Sequence, residues 1–440
     1  MVTNRSPILH IVTLLVLALL SQSAWSGPAI QSWKSDNGAR VLFVPAPDLP
    51  MVDVRVVFDA GSARDGDKPG LSQLTNGLLT EGAGEWNADQ IAQRMDSVGA
   101  SMGSGAQRDM AWVSLRTLTE EDAFNTSVST LAEILNAPTF PVDALERNRQ
   151  MMLAVLQREA QSPGGVVKKE FMKKVFGSHP YAIHSGGTKE SLTTITRDDV
   201  MAQYRRYYVA GNTTISIVGA LDRKQAEDLA NRLTGRMQAG KSAPVLPAVD
   251  TLLQASEQHI QFPSSQSHIV LGQPGMKRGD PDYFALYVGN HVLGGGGLVS
   301  LLSDEVREKR GLSYSIYSYF SPMRANGPFV LGAQTKNQQA SEALKVMRQT
   351  LVDYIQRGPT DKELKAAKQN ITGGFPLRIA NNGKIVEYLS MIGFYRLPLD
   401  YLDAFVGKIN AITKEQIMDA FKRRVHPERF VTVVVGNGKS

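Results

Sequence analysis

Apolar and polar positions along this 440-residue chain fall into short blocks of two different periods. Val52, Val54 and Val56 alternate with Asp53 and Arg55, so Val52 to Phe58 is predicted to be a half-buried strand. Leu344, Met347, Leu351 and Ile355 recur at helical spacing and stop at Gly358, which predicts a helix ended by glycine. Ala132 to Leu135, followed by Pro138 and Pro141, takes the equivalent place earlier in the chain. Thr214 to Val218 and Val431 to Val435 are β-branched runs and are predicted to be strands.

These blocks repeat. The segment Ile195-Thr196-Arg197-Asp198-Asp199-Val200-Met201 recurs, 217 residues later, as Ile412-Thr413-Lys414-Glu415-Gln416-Ile417-Met418. At the same offset Tyr204 falls on Phe421, Arg205-Arg206 on Lys422-Arg423 and Gly219 on Gly436. In both copies a threonine N-cap opens an amphipathic helix, a basic stretch follows, and a β-branched strand comes next. Duplication explains so many ungapped matches. Between the copies, residues 237–258 carry Gly240, Pro244 and Pro247 with no helical or strand period, and are predicted to be a linker. The expected organisation is a leader at 1–26, a first half at 27–236, the linker, and a second half at 259–440. Each half is expected to be α+β, a curved mixed sheet with helices packed on one face, the two facing each other like a clam.

The apolar fraction of 42% and charged fraction of 20% are those of a globular protein. A net charge of +6 is small over this length, and no Lys/Arg run is interleaved with aromatics, so no nucleic-acid partner is expected. Arg5, the apolar run Ile8 to Leu20, and Ala24-Trp25-Ser26 read as the three parts of an export signal, with cleavage expected before Gly27 and an uncleaved anchor as the alternative. The apolar run is short for a hydrocarbon core of about 30 Å, and no transmembrane segment is expected in the mature chain. With no cysteine, neither disulfides nor thiolate metal sites can form. A cysteine-free exported protein suits the bacterial periplasm, which is the expected location.

Asn37-Gly38, Leu49-Pro50, Val56 to Ser62, and Gly70 to Gly82 together resemble the opening of the pitrilysin/insulinase-like zinc metallopeptidases of the mitochondrial-processing-peptidase type. The resemblance extends from about Asn37 to Gly436. In that family the helix after Gly70 carries H-x-x-E-H. Histidines at i and i+4 project from one face and grip zinc, and the Glu at i+3 is general base toward the metal-bound water. Here those three positions are Gln73, Asn76 and Gly77. A neutral amide is a poor zinc ligand, Asn cannot accept the catalytic proton, and Gly has no side chain. The family's third ligand, a Glu from a later helix, is matched to Glu146. One carboxylate without imidazoles cannot hold zinc. None of His179, His184, His259, His268, His291 and His426 has a second ligand at convincing spacing, so no metal is expected in this chain.

The second half retains Arg307-Glu308-Lys309-Arg310-Gly311-Leu312-Ser313-Tyr314. It follows Gly294 to Gly297, with a helix expected over 298–309 and a strand over 312–320. From spacing alone Arg307 suits a solvated helix C-terminus and Tyr314 a core strand equally well. The run is similar to the family's R/Y pair, which reaches a zinc site from the second half and stabilises the oxyanion. What the resemblance implies is a zinc-free subunit, inactive alone, that binds extended peptide. It would supply Arg307 and Tyr314 in trans to a homologous partner with an intact H-x-x-E-H and its zinc. The alternative is a catalytically inactive peptide-binding or scaffold protein.

Overall fold

A computed structural model describes residues 29–437; the leader at 1–26 lies outside the described residues. The first half builds on β1 (Gln31–Lys34), β2 (Arg40–Pro45), β3 (Met51–Phe58), a small β4–β5 ladder (Gly82–Ala83, Trp86–Asn87), β6 (Ser101–Ala106), β7 (Ala111–Leu118) and β8 (Thr213–Gly219). Its helices are α1 (Leu71–Gly77), α2 (Ala88–Asp96), α3 (Glu121–Asn136), α4 (Val142–Ala160), α5 (Pro163–Phe176), α6 (Lys189–Thr194), α7 (Arg197–Tyr207) and α8 (Arg223–Thr234). The second half has β9 (Ser256–Gln261), β10 (Gln266–Pro274), β11 (Ser315–Phe320), β12 (Pro328–Lys336) and β13 (Val431–Gly436). Its helices are α9 (Tyr283–Asn290), α10 (Ala340–Arg357), α11 (Asp361–Arg378), α12 (Asn382–Tyr395), α13 (Tyr401–Ala411) and α14 (Lys414–Arg424). None of the described helices is long and apolar enough to cross a membrane.

The duplication extends to topology. The first sheet has the order β1-β2-β8-β3-β7-β6 and the second β11-β12-β10-β13-β9. Read from β2 and from β9, each begins with a parallel pair, β2 with β8 and β9 with β13. Each then continues antiparallel through three more strands. The repeated segments occupy equivalent places. Thr196 accepts from Asp199 N at the start of α7, and Thr413 from Gln416 N at the start of α14, both as reciprocal capping boxes. Thr196→Ala and Thr413→Ala are each expected to lower stability by about 1 kcal/mol, read from urea midpoints at constant m value. A silent pair would mean that the repeated threonines do no capping.

Each sheet carries its own half's helices on one face, but its other face is covered too, by one helix from the opposite half. Val167, Phe171 and Val175 of α5 pack into a core with Val270, Val330, Val431, Val433 and Val435 of the second sheet. α12 lies correspondingly across β8 and β3. It approaches so closely that a Cβ at Gly393 would stand 2.5 Å from Thr214 Cγ2 and 2.6 Å from Leu42 Cδ1. This exchange corrects the half-buried assignment of Val52 to Phe58. Asp53 is buried against Arg116 at 2.9 Å, and Arg55 lies 3.8 Å over the Trp112 ring and 3.5 Å from Glu387 of α12. The alternation marks a strand with an apolar and a charged face, both of them covered.

The expected linker also shifts. Irregular chain runs from 238 to 255, and β9 begins at Ser256, inside the predicted span. Edge strand β9, Ser-Glu-Gln-His-Ile-Gln, alternates in burial but is almost wholly polar, so it carried no hydrophobic signal. The irregular stretch is anchored: Ala210 N and Gly211 N donate to Gln238 O and Ala239 O, and Leu246 is buried.

Candidate functional site

Helix α1 survives with its buried stripe of Leu71 and Leu74, followed by Leu78. Gly70 precedes it at φ +95°, and its N–H donates to Asp65 Oδ2 at 2.7 Å, while Ser72 N donates to Oδ1 at 2.8 Å. Burial pushes the Asp65 carboxyl up to about 7, against these bonds and the Ser72 hydroxyl, all of which favour the charged form.

The positions corresponding to H-x-x-E-H point inward and are already committed. Gln73 Nε2 donates to Ala106 O at 2.8 Å, at the end of edge strand β6. Asn76, 1% exposed, donates to Trp112 O at 3.3 Å and accepts from the Tyr208 hydroxyl at 3.2 Å. Gly77 faces α4, where a Cβ added to the glycine would meet Asn148 Oδ1 at 3.4 Å. The α4 residue beside the motif is therefore Asn148. Glu146 is mostly exposed and bonds Arg149 at 2.9 Å and Gln150 at 2.6 Å on its own helix. This donor set does not fit zinc: two amides with backbone or phenol partners, a glycine and an Asn offer neither imidazole nor free carboxylate.

The second-half pair stands elsewhere and differently. Instead of a regular helix over 298–309, a tight turn at Gly297–Val299 leads to a widened helical segment, Ser303–Glu308, with Lys309 N donating to Asp304 O at 2.9 Å. Gly297, at φ +64°, permits the turn that breaks the expected helix. The strand starts at Ser315 rather than 312. Arg307 projects from the widened segment with its side chain one-third exposed, and its ion pair is with adjacent Glu308 at 3.5 Å. Tyr314 precedes the strand and is 82% exposed, while Leu312 and Ile316 on either side are buried. Tyr314 is thus not part of the core. Among the described residues, no hydrogen bond joins Arg307 to Tyr314 or either one to Gln73, Asn76 or Glu146.

Between the halves lies a cavity of about 630 Å³, bordered by the β6–β7 turn, β11 with the loop after it, and α12. Arg55, Arg108 and Arg278 line it together with Asp109 and Glu387. Both acids are engaged. Glu387 meets Arg55, and Asp109 accepts from the Tyr181 hydroxyl at 2.5 Å, Arg324 N at 2.7 Å and the Tyr395 hydroxyl at 2.9 Å. Burial, and secondly the Asp109 charge, push both phenols above the ordinary tyrosine range, so they stay protonated donors. Asp109 and Tyr181 belong to the first half, Arg324 and Tyr395 to the second, so this cluster ties the halves together. Sequence reading missed it, because Arg108-Asp109-Met110 looks like any polar turn between strands.

Residues 40–189 match the model of the insulinase family, peptidase family M16, and residues 194–371 match the peptidase M16 inactive domain. The solved structure described as a peptidase M16 inactive domain from Pseudomonas fluorescens is 40% identical, covering 93% of this chain and 98% of that one at a TM-score of 0.90. The chain belongs to peptidase family M16. Among M16 relatives, the Helicobacter pylori protein called non-peptidase homolog YmxG is 26% identical over 89% of this chain and 90% of its own length. The Bacillus subtilis protein called uncharacterized zinc protease YmxG is 24% identical over 92% and 98% respectively. This M16 chain is of the inactive type, with amides and glycine where the family's metal motif belongs.

Proposed function

We propose that this chain is the zinc-free subunit of a two-subunit periplasmic metallopeptidase. It binds extended peptide between its halves and presents Arg307 and Tyr314 to the zinc site of a homologous partner carrying an intact H-x-x-E-H. The observation that carries this reading is an asymmetry of commitment. The three motif positions in α1 are closed or empty, whereas Tyr314 is exposed and, among the described residues, the Arg307 guanidinium has only its sequence neighbour as an ion-pair partner. A guanidinium and a phenol exposed at the surface can meet the negative charge that develops when water attacks a peptide carbonyl. Edge strand β6, Ser-Met-Gly-Ser-Gly-Ala, offers a backbone against which an extended peptide can pair. The N-terminal pattern of Arg5, Ile8 to Leu20 and Ala24 to Ser26 supports export.

Purification of the tagged mature chain from its native periplasm should bring down a homologue with H-x-x-E-H. In that complex Arg307→Ala should lower kcat by at least about tenfold without loss of assembly. Unchanged turnover in the assembled variant would exclude the role in trans. A second reading, a peptide-holding or scaffold protein without hydrolysis, draws support from the cationic inter-half cavity and the relative called a non-peptidase homolog. Isolation of the chain without any M16 partner would favour it.

A further inference from the structure

A second cavity, of about 660 Å³, opens among helices α9, α11, α12 and α13 of the second half. Arg278, Glu387 and Met391 line both it and the inter-half cavity, so the two adjoin. Its volume falls within the roughly 300–1,000 Å³ typical of small-ligand sites. The walls are aromatic: Tyr283 and Tyr287 stack with planes 4° apart, and Tyr401 and Phe405 close the base.

The charges around it are unbalanced. Arg278, Arg378 and Lys384 line the cavity against one acid, Glu387, and that carboxylate is paired with Arg55 outside it. Arg278 has no ion pair among the described residues, and its Nε is buried without a hydrogen-bond partner. Arg378 donates to the Tyr287 oxygen at 3.0 Å, which orients the guanidinium and leaves the Tyr287 proton free for another acceptor. A buried orphan guanidinium N–H is costly unless an acceptor arrives. The ligand chemistry that completes this site is an oxyanion attached to an apolar or aromatic body. A planar carboxylate matches the guanidinium fork, and the aromatic walls match an apolar side chain beside it.

We propose that this side pocket binds the C-terminal carboxylate of a peptide ending in an aromatic or large aliphatic residue, with Arg278 as the principal anion contact. The proposal rests on the reading that the inter-half cavity holds peptide, and it makes the second-half pocket the place where the peptide's end is recognised. The site would favour short peptides with a free terminus over internal segments of longer chains.

The test compares binding of a fluorescent peptide ending in phenylalanine, as free acid and as C-terminal amide, to the full mature chain. The free acid should bind at least about tenfold more tightly, the value of one hydrogen-bonded charge contact. In Arg278→Gln that ratio should fall to about one, and Arg378→Gln should reduce it in part, with thermal midpoints of both variants confirming folding. Equal affinity of acid and amide in the wild type, or a ratio unaltered in folded Arg278→Gln, overturns the proposal. If neither peptide binds, the peptide reading fails, and the pocket is judged with N-acetylphenylalanine against its amide. An acid preference abolished by Arg278→Gln then upholds the anion site, and no preference overturns it.

Discussion

Replacing Asp109 by alanine is expected to lower the unfolding free energy by at least about 3 kcal/mol, because three buried hydrogen bonds to a carboxylate acceptor are lost together. Asp109 is 3% exposed and accepts three hydrogen bonds, from the Tyr181 and Tyr395 hydroxyls and from Arg324 N. The variant leaves these donors without their acceptor, and an unsatisfied buried donor costs about 1–3 kcal/mol. Asp109→Asn should lose less, since one oxygen still accepts, although its NH₂ group then confronts a donor. The informative companion is Tyr395→Phe, which removes only the bond from α12 to Asp109. If the cluster fastens the halves, Tyr395→Phe should lose about 1 kcal/mol and accelerate proteolytic cleavage in residues 238–255. A double-mutant cycle should then show Asp109 and Tyr395 coupled. A cycle with zero coupling would reduce Asp109 to a residue that merely shapes its own turn. Arg324 reinforces the fastening: its guanidinium lies 3.2 Å from Asp59 and stacks 4.2 Å over Phe394.

Much of this architecture is legible in the sequence because duplication writes the same physical instructions twice. Thr196 and Thr413 cap equivalent helices, and the strands that follow, β8 and β13, are central in both sheets. The central strands β8 and β13 are fully buried runs rich in β-branched residues, which is why they can be read, whereas edge strand β9 is polar and disappears into the linker. The exchange of α5 and α12 between halves could not be read. A helix pattern states that one face is apolar but not which sheet will cover it. The same holds for Asp53 and Arg55, whose charges suggest solvent until Arg116, Trp112 and Glu387 are placed around them. For the candidate site, residue types alone reveal that Gln73, Asn76 and Gly77 lack the family's ligands. What they do instead depends on Ala106, Trp112 and Tyr208, which are distant in sequence. Helix spacing could not tell Glu146 from Asn148 as the α4 residue nearest α1, since the choice turns on how the two helices are rotated against each other.

That rotation can be tested by rebuilding the metal site. In the variant Gln73→His/Asn76→Glu/Gly77→His, two imidazoles at i and i+4 should bind Zn²⁺ weakly, because two nitrogen ligands leave a tetrahedral ion without protein donors on one side. Adding Asn148→Glu should tighten zinc by at least about tenfold, about 1.4 kcal/mol for a third protein ligand on the ion, read by competition with a chromophoric chelator. The native Glu146 cannot substitute, since it is turned to solvent and bonded to Arg149 and Gln150. Without metal, both variants should be less stable by about 1–3 kcal/mol, because Glu at position 76 cannot donate to Trp112 O as the Asn76 amide does. Saturating zinc should recover part of that loss through mass action. If the triple variant with native Glu146 already binds zinc as tightly as the quadruple one, the α4 face has been assigned wrongly. If neither binds, commitment of the site goes beyond its side chains, and Ala106 O and Trp112 O are placed where a coordinated histidine and its base cannot be accommodated.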